Sequence, residues 1–155
     1  MSDEVKKSWI MRIQGLDRFA RSGDNVRDKC DIMSFSHGIY ADPPMSGSPR
    51  RVQLYDVSIV RETDAATPLL MRLCQTGDTL QQVTVEMRAE KDGKEIYRLV
   101  YELLNARISR LHPGGGIHGP DYRPVEDIGL SFEKLRIHVK EGEQQGSAEL
   151  TPTSP

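Results

Sequence analysis

Ser34, Ser36 and His37 stand close together in CDIMSFSHGIY (30–40), and a hydroxyl beside an imidazole is the raw material of nucleophilic catalysis. The spacing argues against that chemistry. Side chains alternate along a strand, so Ser34 and His37 point to opposite faces, and the adjacent Ser36 and His37 diverge as well. The chain has no G-x-S-x-G elbow to present a nucleophile. Cys74 sits beside a leucine stripe, where a cysteine behaves as a small core residue. His112, His118 and Asp121 are near one another, but a Gly/Pro loop does not fix them at the spacing that metal ligands need. PGGGIHGP (113–120) is glycine-rich, yet no helix start and no Lys-Ser or Lys-Thr pair follows, so it does not read as a phosphate cradle. Glu62 and Asp64 precede a helix start, where the helix dipole accounts for carboxylates. These residues predict no catalytic group, no metal and no cofactor.

The frame that must position these residues is mostly strand. SWIMRIQ (8–14) alternates Trp9, Met11 and Ile13 with Ile10, Arg12 and Gln14. Residues 15–29 are polar and Gly-punctuated, which predicts a loop with a helical turn around Asp17 to Ala20. In CDIMSFSHGIY, Met33, Phe35 and Ile39 share one face, and Ser34, Ser36 and Gly38 share the other. A wall of small polar side chains suits water or a cargo. ADPPMSGSPRR (41–51), with Pro43, Pro44 and Pro49, predicts a mobile projecting loop, and Val52–Val60 resumes the strand with Tyr55, Val57 and Ile59 in phase.

TDAATPLLMRLCQTG (63–77) breaks the pattern. Thr67 offers a capping hydroxyl, Pro68 fits the first helical position, and Gly77 supplies a left-handed stop. Leu69, Leu70 and Leu73 form one apolar stripe, so a helix of roughly two to three turns is predicted near 68–75. LQQVTVEMRA (80–89) and EIYRLVYELLNARIS (95–109) then meet at Lys91-Asp92-Gly93-Lys94, a hairpin signal. The second strand changes phase between Leu103 and Leu104. The last strand does so near Glu133-Lys134, where Ile128, Leu130 and Phe132 give way to Leu135, Ile137 and Val139. After Lys140 the apolar content almost vanishes, which predicts a folded domain over 1–139 and a disordered polar tail over 140–155. About six long strands that switch phase favour a mostly β fold, an antiparallel β-barrel of two packed sheets with one short inserted helix.

The totals set the class. The chain has 155 residues, enough for one core, with 37% hydrophobic and 28% charged residues and a formal net charge of −2. That balance gives no basic face for nucleic acid, and the Arg50-Arg51 spot is too small to change it. Cys30 and Cys74 lie in no C-x-x-C unit and read as reduced, partly buried thiols. No apolar run is long enough for a signal peptide or a membrane span, which predicts cytoplasmic folding, no membrane insertion and, if the protein leaves the cell, export by a specialised route.

CDIMSFSHG, VQLYDVSIVRETDAATPLLMRLCQTG, EIYRLVYELLNARIS and RPVEDIGLSFEKLRIHV resemble, in order, the strands, capped helix and phase-changing last strand of the Hcp family, the tube protein of bacterial type VI secretion systems. The resemblance spans residues 9 to 139. It implies a homohexameric ring, stacking of rings into a hollow tube, a surrounding sheath, a VgrG-like spike, effector cargo in the lumen, and secretion. By that resemblance Ser34 and Ser36 face the lumen, while Pro43, Pro44, Met45, Arg50 and Arg51 belong to the loop that reaches the next ring. One departure is that the family's further terminal strand with its Gly-Trp segment is missing, replaced by EGEQQGSAELTPTSP, which predicts a different ring edge or stacking contact. Phage tail tube proteins share the implied architecture, and a monomeric barrel binding a small molecule is the alternative of a different class.

Overall fold

Apolar and polar side chains alternate along most of the chain, and the backbone answers with eleven strands and one α-helix among the residues described, which are 4–43, 47, 50–117 and 122–152 of a computed structural model. Before the helix come β1 (Lys6–Gln14), β2 (Lys29–Asp31), β3 (Ser34–Ser36), β4 (Ile39–Ala41), β5 (Val52–Leu54) and β6 (Val57–Glu62). The helix α1 (Thr67–Thr76) is followed by β7 (Leu80–Lys91), β8 (Lys94–Gly114), β9 (Val125–Ser131), β10 (Lys134–Glu141) and β11 (Gln144–Leu150). A 3-10 turn, Leu16–Phe19, occupies the place of the predicted helical turn.

All pairings are antiparallel. One sheet runs β2, β1, β7, the first half of β8, β10 and β11; the other runs the second half of β8, β9, β6 and β3. The two share β8, and they are joined again where β9 passes into β10. Both joints fall at one corner. Asn105 adopts a left-handed φ of 51°, which turns β8 from one sheet to the other. Beside it the Glu133 amide bonds Leu104 O at 3.0 Å, and Asn105 Nδ2 donates to Glu133 Oε2 at 2.9 Å. The phase changes in the sequence are therefore changes of sheet, and the second lies at residues 132–133. Asp92 (φ 52°) and Gly93 (φ 77°) make the predicted tight turn between β7 and β8.

Inward side chains of both sheets meet in one core: Met11, Ile13, Val83, Val85 and Leu103 from the first, Val57, Ile59, Ile128 and Leu130 from the second. Leu69, Leu70 and Leu73 of α1 are buried in the same core, as the stripe predicts. Gly77, at φ 69°, ends the helix with its amide on Leu73 O.

Several expectations need correction. The sheets do not close into a barrel. The segment that would close it divides at Ile32–Met33, with β2 on β1 and β3 on β6, and no ladder joins the two halves. For the same reason Met33 is 59% exposed instead of lying on an inner face, and Ile39 is 54% exposed on β4. The single strand expected over 52–60 is two. β5 pairs only with β4, and Tyr55, 48% exposed, lies between β5 and β6. The polar tail expected from residue 140 contains β11, which pairs with β10 along its length and follows a turn at Gly142 (φ 60°). Its side chains are exposed except for Leu150, so backbone hydrogen bonds hold it where apolar burial does not. A terminal strand is thus present where the sequence was read as lacking one, and it carries no tryptophan.

Thr67 is not the cap. Its hydroxyl donates to Glu126 Oε1 at 2.7 Å and accepts the Asp64 amide at 3.1 Å, so Asp64 instead binds the free Ala66 amide, at 2.9 Å. Arg61 completes the cluster from β6. Its guanidinium donates to Glu126 Oε2 at 2.9 Å and to Asp64, and Arg27 reaches Asp64 from the surface at 3.2 Å. Arg61 is 2% and Glu126 0% exposed. A buried charge pair holds the helix start against the end of the second sheet, and removing Arg61 would leave the buried Glu126 without its cation.

Leu73→Ala should lower unfolding free energy by about 2–5 kcal/mol in a denaturant titration, and a loss under about 1 kcal/mol would contradict its place in the core. For Asp64, burial pushes the carboxyl up, but Arg61, the Ala66 amide and Arg27 together outweigh burial and hold it below the usual range. A depressed folded pKa contributes stability that is complete above the unfolded value near about 4 and is lost as pH falls through the folded value. Asp64→Asn should therefore flatten the acid limb of a stability–pH curve below about pH 4, and an unchanged limb would contradict the cluster's role.

Candidate functional site

Across the second sheet the ladders align in rows. Phe35, Ile59, Ile128 and Leu111 form one row, Val57, Leu130 and Ile108 another, and all of these lie toward the core. The alternate rows are Ser36, Ser58, Gly129 and Arg110, then Ser34, Val60, Asp127 and His112. Because side chains alternate across a strand, these rows form the opposite face. Ser34 and Ser36 are exposed there, as the sequence predicts, and the ladder continues the row of Ser36 to Ser58, half-buried, and Gly129, buried under Arg110.

Arg110 lies flat on this wall. Its guanidinium donates to Ser58 Oγ at 3.1 Å and to Asp127 Oδ1 at 2.9 Å. A Cβ on Gly129 would stand 2.9 Å from Ser109 Oγ and 3.2 Å from Arg110 Cβ, so glycine is what lets the arginine settle. Ser109 is the extra residue of a bulge between Ile108 and Arg110, and its hydroxyl donates to Asp56 at 2.6 Å. Arg110 is thus paired and held down, and the other arginine that the ladder places on this face, Arg107 opposite Ser131, donates to Thr79 Oγ1 at 3.2 Å. The result is smooth, polar and close to neutral. Ser58, Asp127 and Gly129 did not stand out in the sequence, although they occupy the alternate positions between core residues in DVSIV and EDIGL, and Arg110 was hidden by the bulge before it.

The second candidate feature is the arm formed by β4 and β5, which pair only with each other. The Asp42 amide bonds Arg51 O at 2.9 Å, and Arg50 Nε donates to Asp42 O at 3.0 Å, closing the arm at the start of its loop. Pro43, Arg50 and Arg51 are exposed at that end; Pro44, Met45 and Pro49 lie outside the described residues. Tyr40 adds a half-exposed ring on β4. At the base of the arm runs an aromatic seam: Trp9 on Phe35, Phe35 on Tyr101, and His37 against both Tyr101 and Phe132.

The residues considered for chemistry are not assembled into a site. Ser36 is on the outer wall while His37 packs into the seam. Cys74 and Cys30 are free and half-buried against the core, and burial raises the Cys30 thiol above its ordinary value. His112 pairs across the ladder with Asp127; His118 and Asp121 lie outside the described residues. Among the described residues no group of three or more His, Cys, Asp or Glu side chains is placed to hold a metal ion. No helix among them is long and apolar enough to cross a membrane.

Known proteins share this architecture. The family model described as "Type VI secretion system effector, Hcp" matches residues 12–139. Protein hcp1 of Pseudomonas aeruginosa is 24% identical over 102 residues, covering 66% of this chain and 62% of that curated relative. The crystal structure of Hcp1 from Salmonella typhimurium superposes with a TM-score of 0.71 at 21% identity over 94% of each chain. A type VI secretion system effector from Yersinia pestis gives 0.65 at 19% identity, over 92% of this chain and 98% of that one. At such identities the structures establish the fold. With the family model spanning most of its length, the chain belongs to the Hcp family of type VI secretion.

Proposed function

We propose that this protein is a structural tube subunit, not an enzyme: copies close into a hexameric ring, rings stack, and the channel carries effector cargo. The observation that carries the reading is the wall of Ser34, Ser36 and Ser58, backed by a solid core, with Arg110 seated across it over Gly129. A channel that cargo must slide through needs a surface without protruding or sticky groups. An ordinary solvent face of a small domain has no such requirement.

Ring closure follows from heterologous contacts, in which one face of a subunit meets a different face of the next. Such contacts also cover exposed sheet edges, here β2, β3 and β11, that otherwise invite uncontrolled pairing. The arm, with Pro43, Arg50 and Arg51 at its end, is the ring-to-ring contact, and the sheath, the spike and effectors are the partners of the assembled tube. Release to the exterior then occurs with the tube as it is propelled. A small-molecule barrel is disfavoured by the packing. Met11, Val83, Leu103, Ile128 and Leu135, all buried, fill the space between the sheets that a ligand would need.

Native mass measurement should give a hexamer at micromolar concentration, and a clean monomer well above that range would overturn the tube reading. Replacing Arg50 and Arg51 with glutamate should weaken stacking several-fold while leaving the hexamer intact. Ser36→Glu should spare the ring and reduce co-purifying cargo several-fold. Unchanged stacking and unchanged cargo in these variants would remove the assigned roles.

A further inference from the structure

His37 lies at the hinge where the main body gives way to the β4–β5 arm, and its surroundings favour the neutral ring. Its ring meets the Tyr101 ring at 5.7 Å and the Phe132 ring at 5.8 Å, both nearly edge to face. Nε2 is buried and has no hydrogen-bond partner. The neighbouring Gly38 accepts the Tyr55 amide at 3.0 Å, and a Cβ on Gly38 would stand 3.2 Å from the Tyr55 ring, so the two strands of the arm are clasped next to the imidazole. Beyond that point β4 and β5 have no ladder to either sheet.

We propose that His37 is a protonation-controlled latch on this arm: the neutral ring seats between Tyr101 and Phe132 and holds the arm in place, and the imidazolium leaves that seat and frees it. A neutral ring can leave its Nε2 lone pair unpaired at modest cost. Protonation places a charge between two aromatic rings, where the Tyr55 backbone favours it less than burial opposes it. No carboxylate offsets the charge. From β8 the ring faces Tyr101, and from the β9–β10 joint it faces Phe132, whose neighbour Glu133 is engaged by Asn105. From the arm it faces the Tyr55 backbone, and the adjacent Asp56 is engaged by Ser109. Burial accordingly lowers the His37 pKa, against a smaller raising effect of the Tyr55 backbone.

The sign is fixed by linkage. The open arm binds the proton more readily than the seated one, so the latch is complete above the free histidine value of about 6.5 and weakens as pH falls below it. If the arm is the ring-to-ring contact, as proposed above, acidification unstacks rings before it unmakes them.

Site-resolved amide hydrogen exchange on the full chain tests the latch. After correction for the intrinsic pH dependence of exchange, protection at residues 39–42 and 52–55 should fall about tenfold or more between about pH 7.5 and pH 5, while β7 and β8 keep theirs. His37→Phe, which fills the same seat but cannot titrate, should remove this response. The proposal is overturned by an arm whose exchange ignores pH, by an acid response that survives in His37→Phe, or by an arm that opens only together with β7 and β8. The readout is within one chain and needs no ring. A monomer whose arm loosens in acid removes the tube reading and leaves the latch; a hexamer whose arm ignores acid does the reverse.

Discussion

Two strands change sheet at the same corner, and most of the molecule depends on that coincidence. β8 turns at Asn105, and the chain between β9 and β10 turns at residues 132–133, with the Asn105 amide group and the Glu133 carboxylate bonded to each other. Had only one of them crossed, the core faces of the two sheets would not register across the joint. With both crossing, Leu103 and Ala106 of β8 both reach the core although three residues apart, which a regular pleat forbids. The left-handed residue supplies the missing half-step.

That corner fixes what each sheet offers to the outside. The first sheet carries alternating charges outward, with Arg98 paired to Glu86 and Arg136 to Glu102 and Glu149. Exposed pairs of this kind add little stability, and their effect is a hydrated, well-mixed surface. The second sheet turns its small residues outward instead. At one end of it, the Arg61–Glu126 pair and Asp64 tie down the helix start, so α1 packs on the core without intruding on the serine wall. At the other end the aromatic seam around His37 holds the base of the arm. The two faces and the arm are separate surfaces of the molecule.

Much of this was legible in the sequence where a single local rule governs the outcome. The helix was readable from Pro68, the leucine stripe and Gly77, the β7–β8 turn from Asp92-Gly93, and both changes of sheet from breaks in alternation. What was hidden is long-range. In CDIMSFSHGIY the alternation is continuous, and it carries no mark of where the chain leaves β1 for β6, so β2, β3 and β4 merged into one expected strand. β11 was missed because a strand exposed on both faces has no apolar period to read. Arg61 and Glu126 are 65 positions apart, and nothing near either residue announces the other. The serine wall was half visible, since Ser34 and Ser36 share a face by alternation alone, whereas Ser58, Gly129 and Arg110 join it only through the pairing of β3, β6, β9 and β8.

The central claim is that the serine face looks across a channel. It is tested most directly by pulsed dipolar spectroscopy of the assembled protein, with one spin label per chain at Ser36 in a cysteine-free background, compared with a label at Arg98 on the outward face of the first sheet. Labels at Ser36 should give the shorter inter-subunit separations, because they converge on the axis, and labels at Arg98 the longer ones. The opposite order, or no inter-subunit signal at either position, would contradict the account.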